Sequence, residues 1–238
     1  KKVNNSSKVS MLGHCIGGTL ALLYNATHPE NIDRLLTLTT PITYDNGGIT
    51  SLWTNPNIFP IDNIIAAFGN MPAKLIRYSF IAFKPYYEII RWHNYYANMH
   101  NEQIMGVFDP IDKWINDNVD IPGAAFKKFI KEVYHENRFK EGKTLINGKP
   151  AKLKNIECPL LNIVADEDWI VAPKSAEIIN DVVGSKEKTL RNIQGQHLSI
   201  IFDPKNRPEW DEMAEFFKKD FNAGNQSENV NEETDFTE

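Results

Sequence analysis

The sequence predicts an α/β fold: a mostly parallel sheet laid down in two stretches, with a mostly helical segment inserted between them. Three observations predict it. Short apolar, β-branched runs at 8–12, 35–40, 159–165 and 188–193 alternate with helical patterns near both ends of the chain. Between residues 42 and 154 that alternation stops, and Asn, Pro, Gly and aromatic residues crowd in. The first strand passes into the first helix through the glycine-rich turn Gly13-His14-Cys15-Ile16-Gly17-Gly18.

The elements follow in order. Residues 8–12 read as a strand. From Thr19 to about Thr27 the pattern is helical, and His28-Pro29 ends it because proline cannot continue a helix. Leu35-Leu36-Thr37-Leu38-Thr39-Thr40 is apolar and β-branched, as a buried parallel strand should be. Within 42–154, Phe126, Phe129, Ile130, Val133 and Tyr134 fall on one helical face, with Lys127, Lys128, Lys131, Glu132 and His135 opposite. Residues 144–150 read as a small hairpin around Asn147-Gly148. Residues 159–165 form a strand, 173–183 a helix with proline at its start, and 188–193 a further strand. Residues 208–222 close the core as a helix with Trp210, Met213, Ala214, Phe217 and Phe221 on its apolar side. The division this gives is a core of residues 1–41 and 155–222, an insertion of 42–154, and a tail of 223–238.

The chain has 238 residues, enough for one large domain or a domain carrying an insertion. Its 42% hydrophobic and 24% charged content is that of a soluble globular protein, and no apolar run reaches the length of a membrane span. The net charge of −5 is local. Glu228, Glu232, Glu233, Asp235 and Glu238 crowd the tail without a Lys or Arg; setting them aside leaves 26 acidic against 26 basic residues. The tail therefore reads as disordered and the body as neutral, with no basic patch for nucleic acid. The two cysteines, Cys15 and Cys158, make no disulfide framework; reduced thiols in a cytosolic setting are the simpler reading. The chain starts at Lys1 and its first methionine is Met11, inside a strand, so it reads as a fragment or a processed product.

The turn at 13–18 is a nucleophile elbow, Gly-x-Cys-x-Gly-Gly in its strand–turn–helix context. The nucleophile sits in a strained conformation, and side chains on the flanking glycines would meet the neighbouring strand and helix. A thiolate at Cys15 is a strong nucleophile, and its thioester can pass an acyl group onward. Such an elbow needs an acid and then a base, in that chain order. Asp168 follows the strand at 159–165, and His197 follows the strand at 188–193, where the α/β-hydrolase fold puts them. Asp166 and Glu167 compete with Asp168, which is preferred. Among the other histidines, His14 adjoins the nucleophile but is expected to point away from it. His28 reads as a helix-end residue, and His93, His100 and His135 as surface or interface residues of the insertion. Cys158 reads as a small buried apolar residue, and no spacing of His, Cys and carboxylates makes a metal site. In this reading His197 takes the Cys15 proton and the backbone N–H of Ile16 holds part of the oxyanion. The fold is then the α/β-hydrolase fold, represented by the C-terminal portion of its core sheet, with an inserted, mostly helical cap.

These residues resemble a known family. The box Gly13-His14-Cys15-Ile16-Gly17-Gly18 is similar to that of the poly(3-hydroxyalkanoate) synthases, in which cysteine is the nucleophile. The likeness continues through residues 114–120, Pro122-Gly123-Ala124-Ala125-Phe126, Phe129-Ile130, Tyr134, Asn137, and Leu153-Lys154-Asn155-Ile156 with 159–163. It takes in Asp168-Trp169-Ile170-Val171-Ala172-Pro173 and Gly195-Gln196-His197, although the family more often has Gly-Gly-His or Gly-His. It covers about residues 8–220 and is nearest the short, two-component synthases of classes III and IV. The resemblance implies polymerisation of (R)-3-hydroxyacyl-CoA, foremost 3-hydroxybutyryl-CoA, with release of CoA and no separate cofactor. It implies Cys15 as acyl carrier, His197 as base, and Asp168 as orienter of His197 or activator of the substrate hydroxyl. It also implies a second synthase subunit, a homodimer through the cap, and a cytoplasmic granule surface. Residue chemistry alone reaches a Cys-nucleophile acyltransferase or hydrolase, the latter an esterase, thioesterase or dienelactone-type enzyme. A non-catalytic, granule-associated fragment is the remaining alternative. With the strand at 8–12 left as an open edge, the chain alone is expected to be poorly active and prone to associate.

Overall fold

The computed structural model describes residues 7–44 and 47–218, apart from the Gln103 side chain. Four parallel strands form the core sheet in the order β1-β2-β5-β6: β1 is Val9–His14, β2 Ile32–Leu38, β5 Leu160–Ala165 and β6 Lys188–Ile193. Leu35, Leu36, Thr37 and Leu38 of β2 stand opposite residues 160–163 of β5, so the two central strands run in step. All of β5 and nearly all of β2 are buried, which is why both are almost continuously apolar. β6 is exposed along most of its length, and β1 alternates less cleanly. Both are edge strands among the described residues.

Each face of the sheet has its cover. Helix α1, Ile16–Thr27, buries Ala21, Leu22, Leu23 and Ala26. On another cluster, Leu36, Leu38, Leu161, Ile163 and Ile193 pack with Ile200, Met213 and Phe216. The last two residues belong to the closing helix Arg207–Lys218. That helix meets the sheet through Phe216, with Phe217 only partly buried and Ala214 exposed, so its buried face is turned one residue from the one the sequence pattern predicts. Phe221 and the tail 223–238 lie outside the described residues.

Three departures from the expected elements have physical causes. Strand β2 ends at Leu38 instead of residue 40 because Thr39 adopts a left-handed φ of 42°. The helix expected over 173–183 is broken into Pro173–Glu177 and Ile179–Val182. The fully buried Asn162 side chain claims the Ala176 carbonyl (2.9 Å), the acceptor that continuation of the helix would need, and also donates to Asn180 Oδ1 (2.8 Å). The hairpin, by contrast, forms as expected: β3 Leu145–Ile146 pairs with β4 Lys149–Pro150 across Asn147 and Gly148, both at positive φ.

The chain divides into two compact units. One comprises the described residues up to Gly48 and from Asn137 onward; the other is Ile49–Glu136. Residues 42–44, 47–48 and 137–154, read from the sequence as part of the insertion, group with the unit that holds the sheet. Ile42 N–H, for instance, donates to the Ser175 carbonyl. The Ile49–Glu136 unit is helical, as expected: α2 Ile61–Phe68, α3 Ala73–Phe83, α4 Pro85–Asn98, α5 Glu102–Asn116 and α6 Gly123–Phe129. Trp53 stacks on Phe59 at 4.9 Å, and Phe126 and Tyr134 close around them. The amphipathic helix read over 126–134 is α6 running into a wider turn, Ile130–His135, where Glu136 N–H reaches back five residues to the Lys131 carbonyl. Many of this unit's aromatics are exposed, among them Phe68, Tyr78, Tyr86, Trp92 and Tyr96. No helix among the described residues is long and apolar enough to cross a membrane.

Candidate active site

The elbow is where the sequence puts it. Cys15 joins β1 to α1 with φ 53° and ψ −128°, a conformation that costs a non-glycine residue on the order of 1–3 kcal/mol. Its N–H donates to the Leu38 carbonyl at 2.9 Å, so the turn is strapped to the end of β2. Two of its glycines are required by space. A Cβ on Gly13 would lie 2.5 Å from Gly18 Cα, and one on Gly18 would lie 1.8 Å from Thr40 Oγ1. A Cβ on Gly17 would meet nothing within 4 Å, so the crowding expected there is absent. Ile16 opens α1, and its N–H is one of those that a helix leaves without an internal partner. The helix N-terminus and that N–H both favour negative charge beside the Cys15 sulfur.

Asp168 and His197 come together. His197 Nδ1 lies 2.6 Å from Asp168 Oδ2, with both residues buried. The other carboxylate oxygen accepts from the N–H groups of Ile170 (2.8 Å) and Val171 (2.9 Å), which fixes the carboxylate plane. Asp166 and Glu167, the competing acids, are exposed. Their backbones still serve: Asp166 N–H bonds the Ile193 carbonyl and Glu167 N–H the Gly195 carbonyl, each at 2.9 Å. The loops after β5 and β6 are thereby tied together as an extension of the sheet ladder.

Cys15 packs against Val164, Val171, Ala176 and Ile170, and its side chain hydrogen-bonds with that of His197. Burial alone would press the His197 ring toward its neutral form. The hydrogen bonds with Asp168 and Cys15, and the negative charge both can carry, outweigh burial and push the ring up to about 10.

Sequence reasoning missed one neighbour. His14, expected to point away from the site, packs its ring against His197 with centroids 4.8 Å apart, and its Nε2 is 3.3 Å from the His197 carbonyl oxygen. A carbonyl only accepts, so His14 donates there from Nε2–H. Burial, and next the positive charge on His197, push His14 down to about 4. Its place as the last residue of β1, beside the nucleophile, was the available signal. Of the remaining histidines, His135 is half-buried with its Nε2 buried, short of the surface position read for it, and the others agree with the sequence reading. His28 stacks on Tyr24 and contacts Thr27 Oγ1, while His93 and His100 are exposed. Cys158 is half-buried with Asn25 Nδ2 donating to its sulfur at 3.1 Å, and burial pushes its thiol up.

Comparison with known proteins bears on the family and the fold. The chain is similar to the poly(3-hydroxyalkanoate) polymerase subunit PhaC of Thiocystis violacea, with 31% identity over 204 residues, 85% of this chain and 57% of that one. It is similar to PhaC of Haloarcula marismortui as well, with 25% identity over 214 residues, 89% of this chain and 45% of that one. The likeness to poly(3-hydroxyalkanoate) synthases read from the residues is thus borne out, and the chain spans about half the length of these relatives. Among solved structures, a monoacylglycerol lipase of Paleococcus ferrophilus superposes with a TM-score of 0.54 at 16% identity, over 88% of this chain and 68% of that one, a likeness of fold. The family model of the alpha/beta hydrolase fold matches residues 2–204. A match of that extent, on a chain whose sheet order, nucleophile turn and loops follow the same plan, places it in the α/β-hydrolase fold family.

Proposed function

We propose that this chain carries the catalytic half of a poly(3-hydroxyalkanoate) synthase, with Cys15, His197 and Asp168 as a triad. The observation that carries the reading is the buried Asp168–His197 pair meeting a cysteine, in place of serine, in the elbow. Cys15 gives its proton to His197 and its thiolate attacks the thioester carbonyl of a (R)-3-hydroxyacyl-CoA, foremost 3-hydroxybutyryl-CoA. The tetrahedral oxyanion forms beside the Ile16 N–H. Its collapse breaks the carbon–sulfur bond to CoA, which leaves as a thiol with the proton from His197. The hydroxyl of a second hydroxyacyl unit then loses its proton to His197 and attacks the acyl-Cys15 thioester; an ester bond forms and the thiol is restored. CoA thioesters are substrates here, and the route calls on no separate cofactor.

Cysteine suits this division of labour, because a thioester holds the acyl group at an energy from which ester formation runs downhill. The relatives' designation as a polymerase subunit supports a second subunit as partner. The resemblance supports a homodimer through the helical insertion and a cytoplasmic granule surface. The test is CoA release and polymer formation from 3-hydroxybutyryl-CoA, using the chain alone and within a polypeptide of its relatives' length. Polymer and CoA, both abolished by Cys15→Ala, are the expected result. Free 3-hydroxybutyrate with CoA and no polymer would make it a hydrolase, and activity surviving Cys15→Ala would sink the mechanism.

A further inference from the structure

The loop that carries His197 is held from one side by the acid loop. Glu167 N–H bonds the Gly195 carbonyl, and Asp168 holds the ring at Nδ1. Both ties come from the end of β5, and both draw His197 toward Asp168. Catalysis needs the ring's other nitrogen to meet Cys15, which directly follows β1. A tie from β1 is supplied by His14, whose Nε2–H donates to the His197 carbonyl at 3.3 Å and whose ring lies against the His197 ring at 4.8 Å, tilted by 46°. His14 and Cys15 are consecutive, so the nucleophile's own turn grips His197 twice: at the ring through sulfur, and at the backbone through His14.

We propose that His14 is a positioning residue that registers the His197 loop to the nucleophile by donating a hydrogen bond to its backbone carbonyl. The proposal rests on the triad reading above. The titratable groups that face His14 are His197, Asp168 and, next in the chain, Cys15. Its environment favours the neutral ring, which keeps the donor without placing a second positive charge against the His197 imidazolium. Arginine or lysine could donate to the same carbonyl, but either would set a permanent cation beside that imidazolium and disfavour the thiolate it balances.

The test is the rate of Cys15 alkylation by iodoacetamide from pH 5 to 9, read by mass spectrometry, with Cys158 in the same molecule as the internal reference. His14→Phe keeps a ring and removes the donor; His14→Gln places an amide donor where Nε2 stood. The expected result is Cys15 labelling about five- to tenfold slower at neutral pH in His14→Phe, the size of effect one hydrogen bond confers, with the pH midpoint moved up. In His14→Gln most of the rate and the midpoint return. Cys158 labelling stays constant throughout. Should His14→Phe not fold, as judged by circular dichroism, His14→Met takes its place. Wild-type rate and midpoint in the donor-less variant, or equal slowing in His14→Gln, overturns the proposal, the second outcome assigning the effect to packing. Wild-type Cys15 that labels no faster than Cys158, and no slower after His197→Ala, is instead the failure of the triad reading, so the two are told apart.

Discussion

Replacing Asp168 by asparagine isolates what the carboxylate does, because the substitution keeps the shape of the site. Asp168 Oδ1 accepts from the Ile170 and Val171 N–H groups, and only the oxygen of an asparagine amide can do the same. The amide nitrogen must then face His197 Nδ1, where Oδ2 stood at 2.6 Å. Because that nitrogen donates, Nδ1 must give up its proton, and the ring's proton moves to the nitrogen that should receive one from Cys15. The base is present in the wrong tautomer, and its charged form loses a charge-assisted hydrogen bond worth about 1.5–3 kcal/mol. With the ring in that state, Cys15 loses the partner that would take its proton. Asp168→Asn therefore slows iodoacetamide labelling at pH 6.5 by about 10- to 100-fold, the factor that a loss of about 1.5–3 kcal/mol confers. Acyl transfer, which also needs the proton returned, falls further, by about three to four orders of magnitude. Asp166→Asn and Glu167→Gln, whose side chains are exposed, serve as controls and label at the native rate. Native labelling in Asp168→Asn, or an equal loss in either control, would falsify the assignment of the acid.

Other perturbations separate the structural roles. Gly13→Ala forces a Cβ to 2.5 Å from backbone that cannot yield cheaply, so urea melts should show a loss of about 3 kcal/mol or more; Gly17→Ala, in open space at a helical position, should be neutral or stabilising by up to about 1 kcal/mol. Equal damage at the two positions would contradict the packing described for the turn. His14, held near 4, lacks a proton that the unfolded chain takes up below about 6.5. Stability therefore falls as pH drops through that window, by up to about 3 kcal/mol, and urea titrations at pH 7 and 4.5 should show His14→Phe flattening this acid limb. His197 acts with the opposite sign: the stability its raised value confers is complete below 6.5 and is lost as pH climbs toward 10, so His197→Gln should flatten the alkaline limb of the same titration. Asn162→Leu strips partners from the Thr37 hydroxyl and the Ala176 carbonyl inside the core and should cost about 2–4 kcal/mol by urea melt; a loss under about 0.5 kcal/mol would show that the buried amide is dispensable.

What the sequence made legible was what short-range chemistry controls. The elbow announces itself because a strand, a tight turn and a helix must be consecutive. β2 and β5 are readable because strands buried on both faces are apolar throughout. Asp168 and His197 were placed by their distance from strand ends. Contacts between segments far apart in the chain were less visible. Nothing local says that Asn162 will take the carbonyl of Ala176 and break the helix there, or that α6 will widen at Ile130. The choice of Phe216 over Phe217 as the buried ring depends on the rotation of the last helix against the sheet, about 100° per residue. The contact of His14 with His197 spans 183 positions, and alternation along β1 does not reveal it because the strand ends there in a turn.

The place of β1 at the margin of the sheet has a consequence for the nucleophile. β1 is hydrogen-bonded to β2 alone among the described residues, and its last residue directly precedes Cys15. Asp168 and His197, by contrast, follow β5 and β6, which share a continuous register of six residue pairs. Among the described residues, Cys15 thus follows a strand paired on one side, whereas Asp168 follows one paired on both. Fluctuations that open the site should begin on the sulfur's side, with amide exchange faster in β1 than in β2 or β5. Any polypeptide that pairs along the outer edge of β1 would stiffen that strand and, with it, the placing of Cys15 against His197.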